Sequence, residues 1–174
     1  MSKTDFNLAA IRAVVFDVDG VLSPSTVTMD DDGVPCRMVN IKDGYAMQHA
    51  VKQGLEMAII TGANTKSIIE RYGALGVRDV FMGASAKLPV LKKWLADKGI
   101  DPAETAYCGD DIPDIQPMQH VGLAVAPADA APEVKNIAKY ITTASGGYGV
   151  ARELIEQIMR AKGQWMHDAD AFGW

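Results

Sequence analysis

Short apolar runs alternate with segments of helical period along almost the whole chain, and this alternation constrains the fold more than any other feature. Several runs are apolar at every position, as strands buried on both faces of a parallel sheet are. The pattern predicts strands at 13–16, 57–60, 80–82, 105–108, 122–125 and 140–142, and helices at 45–53, 65–75, 89–98, 114–120, 132–138 and 150–162. We therefore expect an α/β, Rossmann-like three-layer sandwich with a mostly parallel central sheet.

Two segments depart from the alternation. In 26–40, two β-prone stretches flank an Asp-Gly pair, which predicts a projecting β-hairpin. The last stretch, 163–174, carries several aromatic residues without a clear period, so we expect a tail. A chain of 174 residues can bury one sizeable core, and no repeat or linker divides it, so we expect a single domain over 1–174.

Composition argues against several classes of partner. The formal net charge of −5 and the scattered Lys and Arg residues leave no basic face for a nucleic acid. Cys36 and Cys108 form no C-x-x-C pair and the N-terminus resembles no secretion signal, so we expect a cytoplasmic protein. The apolar stretches are about five or six residues long, against the roughly 20 that span a bilayer, so we expect no membrane association.

Polar side chains follow the predicted strands at their carboxyl ends, where ligands bind to parallel sheets. Taken singly, each has an ordinary structural interpretation, because Asp and Gly gather at turns and most lysines are solvated. Together, their order predicts one site. The members of this set are Asp17, Asp19, Thr61, Gly62, Lys87, Asp110, Asp111 and Asp114.

Phosphoryl transfer requires this combination of groups, because it needs an in-line nucleophile, a hard cation and donors around the phosphate. We expect Asp17 to attack phosphorus and form an aspartyl phosphate. Asp19 would act as general acid toward the leaving group and then as general base for water. Asp17 and Asp110, with the backbone carbonyl of Asp19, would hold Mg²⁺, a cation that prefers oxygen ligands.

The remaining members of the set would support the phosphate and the metal. Thr61 and the amides near Gly62 would donate to phosphoryl oxygens, and Lys87 would offset negative charge on the nucleophile and the phosphate. Asp111 or Asp114 would support these residues without contacting the phosphate, by holding metal-bound waters or orienting Lys87.

These residues resemble the motifs of the haloacid dehalogenase superfamily. Over nearly its whole length, the sequence is similar to the family of 3-deoxy-D-manno-octulosonate 8-phosphate phosphatases. The resemblance implies Mg²⁺-dependent hydrolysis of that sugar acid phosphate in lipopolysaccharide precursor synthesis. It is carried by Asp17–Leu22, Lys42-Asp43-Gly44-Tyr45, Ile59–Gly62, Leu75-Gly76, Lys87, Gly109–Asp114, Gly146–Gly149 and Arg152-Glu153.

The spacing of the motifs leaves no room for a separate cap domain, because the hairpin and one helix already occupy the stretch between Asp17 and Thr61. A capless site is open to water. The resemblance implies a homotetramer assembled through the hairpin, with a neighbouring subunit and the tail 163–174 covering each site. An ordinary solvent-facing ribbon and a disordered tail are the alternatives.

Two positions differ from the pattern of the family it resembles. Ala63 follows Thr61-Gly62 where Arg is frequent, and Tyr148 replaces an Arg in the glycine-rich stretch. Both positions are candidates for contact with the sugar acid, as are Lys42 and Arg152. Two alternatives therefore stay open: a capless phosphatase for a nine-carbon keto-deoxy sugar acid phosphate or another phosphate ester, and a phosphatase-like assembly or regulatory module.

Overall fold

The computed structural model describes residues 6–174 and contains a six-stranded parallel sheet and a two-stranded antiparallel ribbon. The sheet has the order β5-β4-β1-β6-β7-β8, and the ribbon pairs β2 with β3. The strands are β1 Ala13–Phe16, β2 Thr28–Met29, β3 Pro35–Cys36, β4 Glu56–Ile60, β5 Asp79–Phe81, β6 Thr105–Cys108, β7 Leu123–Ala126 and β8 Tyr140–Ile141.

Six α-helices connect or follow these strands: α1 Ile41–Lys52, α2 Lys66–Ala74, α3 Lys87–Lys98, α4 Ile115–His120, α5 Pro132–Ile137 and α6 Val150–Ala161. The largest difference from the sequence prediction is the start of α1, which begins at Ile41 rather than Tyr45. Asn40 explains the earlier start, because its side chain accepts hydrogen bonds from the backbone N–H groups of Lys42 and Asp43 and so caps the helix. Within residues 6–174, no helix is both long and apolar enough to cross a bilayer.

The sheet separates two apolar clusters, and β1 shows how the sequence produces them. Its four residues are fully buried and alternate between the two faces of the sheet. Val14 and Phe16 pack into the cluster with α1, α2 and α6, whereas Ala13 and Val15 pack into the cluster with α3, α4 and α5. The predicted three-layer α/β class is therefore confirmed.

The hairpin lies where the sequence predicts it. Asp30 stabilises its turn, because its Oδ1 accepts hydrogen bonds from the backbone N–H groups of Asp32 and Val34. Apolar side chains nevertheless stand in solvent along this ribbon: Met29 is 64% exposed and Met38 is 56% exposed. The hairpin thus presents apolar surface that residues 6–174 leave exposed.

The tail 163–174 folds back on α1 and α6 of its own chain. Trp165 is buried, with its ring 5.4 Å from the His49 ring and 4.8 Å from the guanidinium of Arg152. The Tyr45 hydroxyl donates a hydrogen bond to the carbonyl of Ala171. The tail is therefore packed on the helical layer of its own chain. The sequence led us to expect a tail that covers an active site or a disordered tail, and we did not anticipate this packing from it.

Candidate active site

Three neighbouring strands bring the predicted site residues to one edge of the sheet. The parallel register pairs Phe16 of β1 with Ile59 of β4 on one side and with Cys108 of β6 on the other. Asp17, Thr61 and Asp110 follow the ends of these strands and line one cavity. The strand order reverses at β1, with β4 and β5 on one side and β6, β7 and β8 on the other, and ligands bind in the crevice at such a point in folds of this type.

Asp17 is buried and held through both of its carboxylate oxygens. Its Oδ1 accepts a hydrogen bond of 2.7 Å from the backbone N–H of Val18, and its Oδ2 lies 2.7 Å from Nζ of Lys87. Lys87 is the first residue of α3, and its Nζ also contacts Oδ1 of Asp114 at 2.8 Å. One buried ammonium therefore bridges two buried carboxylates.

Asp114 organises the loop that follows β6. Its Oδ1 also accepts a hydrogen bond of 2.9 Å from the hydroxyl of Tyr107, and its Oδ2 accepts one of 3.1 Å from the backbone N–H of Asp110. Asp114 therefore contacts Lys87, Tyr107 and the backbone of Asp110 at once. Asp111 is exposed and lies on the rim of the cavity.

The carboxylates outnumber the cations in this cluster. The pKa of Asp17 is raised to about 6, first by burial and then by the charge of Asp114, while Lys87 opposes the shift. The pKa of Asp110 is raised to about 7, first by burial and then by repulsion from Asp17 and Asp114. Burial alone would lower the pKa of Lys87, but the charges of Asp17 and Asp114 raise it. Ionising these carboxyl groups together beside a single lysine is therefore unfavourable without a further cation.

A hard divalent cation fits this donor set. One carboxylate oxygen from each of Asp17, Asp110 and Asp114 lies within 4.8 Å of the others. Oxygen ligands of this kind are those that Mg²⁺ prefers, and its charge would offset the repulsion that raises the two pKa values. The geometric cluster contains Asp114 in addition to the predicted Asp17 and Asp110, whereas the side chain of Asp19 lies outside it.

The cavity in front of this cluster has a volume of about 480 Å³. Thr61 is buried beside it, and its hydroxyl accepts a hydrogen bond of 3.1 Å from the backbone N–H of Ala63. The lining contains every member of the set predicted from the sequence, together with small residues that leave the mouth open. The lining residues are Asp17, Asp19, Ser25, Thr61, Gly62, Ala63, Ala84, Ser85, Lys87, Asp110, Asp111, Pro113 and Asp114.

Arg37, at the base of the hairpin, does not line the cavity but pairs with Asp19, which does, and the sequence interpretation missed it. Its Nε and one terminal nitrogen donate to the two carboxylate oxygens of Asp19, at 2.7 and 2.9 Å. Its other terminal nitrogen donates to the hydroxyl of Thr65 at 2.9 Å. No local pattern identifies such a residue, because an arginine beside a hairpin ordinarily faces solvent.

Two glycines allow the backbone to pack closely behind the site. Gly20 has a φ of +83°, and a Cβ at this position would overlap the carboxylate of Asp110. A Cβ at Gly146 would overlap the carbonyl of Gly20, so the glycine-rich stretch lies directly against the segment 17–20. Glycine is required at both positions by this close approach.

Three predicted substrate contacts lie elsewhere. Lys42, Tyr148 and Arg152 line a second cavity of about 310 Å³ beside the start of α6, whereas Ala63 lines the first cavity. Arg152 is engaged there, because its Nε donates to Glu156 at 2.8 Å. Within one chain, the structure therefore does not bring these three residues to the cluster around Asp17.

The class of haloacid dehalogenase-like hydrolases is defined by this fold and site. The fold is a parallel α/β sheet, and the site combines clustered carboxylates, a buried lysine and a hydroxyl where the strands end. The family model of that description matches residues 78–154. The chain is also 38% identical over 154 residues to the 3-deoxy-D-manno-octulosonate 8-phosphate phosphatase of Escherichia coli K12, with 88% of this chain and 82% of that protein covered.

Solved structures agree with the sequence comparison. The crystal structure of the 3-deoxy-D-manno-octulosonate 8-phosphate phosphatase from Yersinia pestis has a TM-score of 0.88 and 36% identity, covering 91% of this chain and 85% of that one. The phosphatase from Moraxella catarrhalis, in complex with magnesium, phosphate and a KDO molecule, has a TM-score of 0.87 and 29% identity, with 90% of each chain covered. The chain therefore belongs to the 3-deoxy-D-manno-octulosonate 8-phosphate phosphatase family.

Proposed function

We propose that this chain is a Mg²⁺-dependent phosphatase that hydrolyses 3-deoxy-D-manno-octulosonate 8-phosphate to the free sugar acid and phosphate, a step in the synthesis of lipopolysaccharide precursors. The observation that carries the proposal is the position of Asp17, which is anchored by Lys87 beside the carboxylate cluster at the bottom of the cavity. The family supports the choice of substrate, because the relatives of this chain are named as phosphatases of 3-deoxy-D-manno-octulosonate 8-phosphate.

In the first half-reaction, a carboxylate oxygen of Asp17 attacks phosphorus, and the bond from phosphorus to the sugar oxygen breaks. Asp19 donates its proton to the departing oxygen, which leaves as the neutral alcohol. Lys87 contacts Asp17 directly and favours its ionised, nucleophilic form. Thr61 and the amides near Gly62 line the cavity where the phosphoryl oxygens must lie, so they supply the donors.

In the second half-reaction, Asp19 accepts a proton from a water molecule, whose oxygen attacks the phosphorus of the aspartyl phosphate. The bond between phosphorus and the Asp17 oxygen breaks, and inorganic phosphate leaves. Splitting the hydrolysis in this way requires the same carboxyl group to serve as acid and then as base. Asp19 suits both roles because its side chain is partly exposed on the cavity wall.

Asp17 and Asp110, with the backbone carbonyl of Asp19, are the proposed Mg²⁺ ligands. Asp114 lies in the same cluster, so its carboxylate offers a further candidate ligand oxygen. When bound, Mg²⁺ supplies positive charge that offsets the charge of the phosphate and of the nucleophile. Asp114 has a second role in this scheme, because it orients Lys87 and the loop that carries Asp110.

The same proposal includes a cytoplasmic homotetramer of single-domain subunits, assembled through the hairpin. Its support is the apolar surface of the ribbon, where Met29 and Met38 are exposed, and the open mouth of the cavity. No residue of the described tail lines the cavity of its own chain. A neighbouring subunit would therefore provide the cover. Light scattering tests this part, and a monomer at working concentration contradicts it.

Phosphate release from eight- and nine-carbon keto-deoxy sugar acid phosphates, measured side by side, tests the substrate. We expect the higher kcat/KM for the eight-carbon compound, with activity lost on chelation and restored by Mg²⁺. Asp17→Asn should abolish turnover and keep the fold, whereas Asp97→Asn, at an exposed pair with Lys93, serves as the matched control. Turnover by Asp17→Asn, or turnover in excess chelator, would refute the mechanism.

A further inference from the structure

The ion pair between Arg37 and Asp19 is the feature of the site that the proposed mechanism does not explain. Asp19 must reach the departing oxygen of the substrate, yet both of its carboxylate oxygens accept hydrogen bonds from Arg37. A bidentate pair of this kind is among the stronger side-chain contacts and fixes the carboxylate in one orientation. The pair must therefore open before Asp19 can serve the reaction.

The two partners differ in what they require when the pair opens. The side chain of Asp19 is 37% exposed, so water can solvate it after release. The side chain of Arg37 is only 10% exposed, and a cation buried to that extent needs another anionic partner. Exchange of one carboxylate for another keeps Arg37 paired, whereas simple dissociation does not.

The charge distribution around the cavity indicates where such a partner would come from. Among residues 6–174, two cationic side chains form ion pairs with residues that line the cavity, Lys87 and Arg37. Lys87 is engaged with Asp17 and Asp114 and lies at the phosphate end. Arg37 is the cation that remains for a second anionic group of the substrate. Its planar guanidinium can bind a carboxylate through two hydrogen bonds, as it does with Asp19.

We propose that Arg37 recognises the carboxylate of the sugar acid and, by exchanging partners, releases Asp19 toward the departing oxygen. This inference rests on the proposed function, because it needs a substrate that carries both a phosphate and a carboxylate. The hydroxyl of Thr65 stabilises the arrangement, since it accepts a hydrogen bond from Arg37 instead of capping the first turn of α2. Arg37 is thus a specificity-determining residue contributed by the hairpin.

A comparison of two substrates and several enzyme forms tests this assignment. The substrates are 3-deoxy-D-manno-octulosonate 8-phosphate and the same compound with its carboxylate reduced to an alcohol. The readout is the ratio of kcat/KM for the acid to kcat/KM for the alcohol, because a general loss of activity or folding cancels in this ratio. We expect Arg37→Met to lower the ratio by roughly 10- to 100-fold, the effect of losing a charged hydrogen-bonding partner.

Two further variants make the result specific. Arg37→Lys keeps the charge but loses the fork, so its ratio should fall between those of the wild type and Arg37→Met. Arg12→Met removes an exposed arginine that pairs with Glu104 outside the cavity, and its ratio should equal that of the wild type.

The outcomes separate this inference from the proposed function. If the wild type prefers the acid and Arg37→Met keeps that preference, Arg37 does not recognise the carboxylate, and the assignment alone is overturned. An equal loss on both substrates would overturn it as well, because it would place Arg37 at the phosphate or in support of Asp19 only. If the wild type releases phosphate from p-nitrophenyl phosphate but not from the sugar acid phosphate, the proposed function fails and the assignment falls with it.

Discussion

Replacing Asp43 with Asn should change how the stability of the protein depends on pH. Asp43 is buried in the first turn of α1, and its Oδ1 accepts a hydrogen bond of 2.7 Å from the backbone N–H of Arg152 in the first turn of α6. Its Oδ2 has no hydrogen-bonding partner within residues 6–174. Burial raises the pKa of Asp43 from 3.8 to about 6, against the opposing effect of the Arg152 contacts.

The sign and size of the effect follow from this shift. Because the folded carboxyl group keeps its proton to a higher pH than the unfolded one, stability is greatest below 3.8 and falls as the pH rises through about 6. The full cost of ionising the buried group is about 3 kcal/mol. Roughly half of this cost is already present at pH 5, so the wild type should lose about 1 to 2 kcal/mol between pH 5 and pH 8 through this group.

Urea unfolding of the wild type and Asp43→Asn at pH 5 and pH 8 measures the difference. Asn does not titrate, so the free energy of unfolding of Asp43→Asn relative to the wild type should rise by about 1 to 2 kcal/mol between the two pH values. Any constant cost of burying the amide cancels in this comparison. Asp97→Asn, on the surface of α3, controls for the general loss of a carboxylate. If the wild type instead gained stability relative to Asn, the N-terminus of α6 would be stabilising the charge by more than burial costs.

Three further substitutions test the site and the tail. Gly20→Ala should displace Asp110 and weaken Mg²⁺ binding at least tenfold by calorimetry, and unchanged affinity would show that the backbone adapts. Lys87→Met should leave the carboxylate of Asp17 buried without its cation and lower the free energy of unfolding by about 3 to 5 kcal/mol, which a Tm equal to that of the wild type would contradict. Trp165→Ala should free the tail, so that its amides exchange hydrogen faster while those of the sheet do not, and unchanged exchange in the tail would refute this role.

The strands and the cluster of carboxylates around Lys87 were predictable because their signals are local. β1 is a fully apolar run directly followed by Asp17. Because parallel strands all end at the same edge of the sheet, the polar residues that follow them lie at that edge for any length of the connecting loops. The order of Asp17, Thr61, Lys87 and Asp110 along the chain was therefore enough to predict that they meet, and all four line the same cavity.

Features that depend on contacts between distant segments were not predictable in this way. The start of α1 depends on Asn40, whose capping role is hidden by its position at the end of the hairpin. Arg37 and Asp19 lie 18 residues apart and meet only in the folded chain, and no spacing in the sequence encodes that approach. The tail shows no helical period, yet Trp165 packs between His49 of α1 and Arg152 of α6, a contact between distant segments that the sequence does not encode.

The packing of Gly146 against Gly20 limits how this enzyme can be altered in directed evolution. Gly146 touches no substrate in the proposed mechanism, yet any side chain there would push on the carbonyl of Gly20 and so on the segment that carries Asp17. Libraries that randomise the glycine-rich stretch should therefore consist mostly of inactive members. Ala63, Ala84 and Ser85 line the active-site cavity itself, so they are the positions at which a new substrate range should be sought.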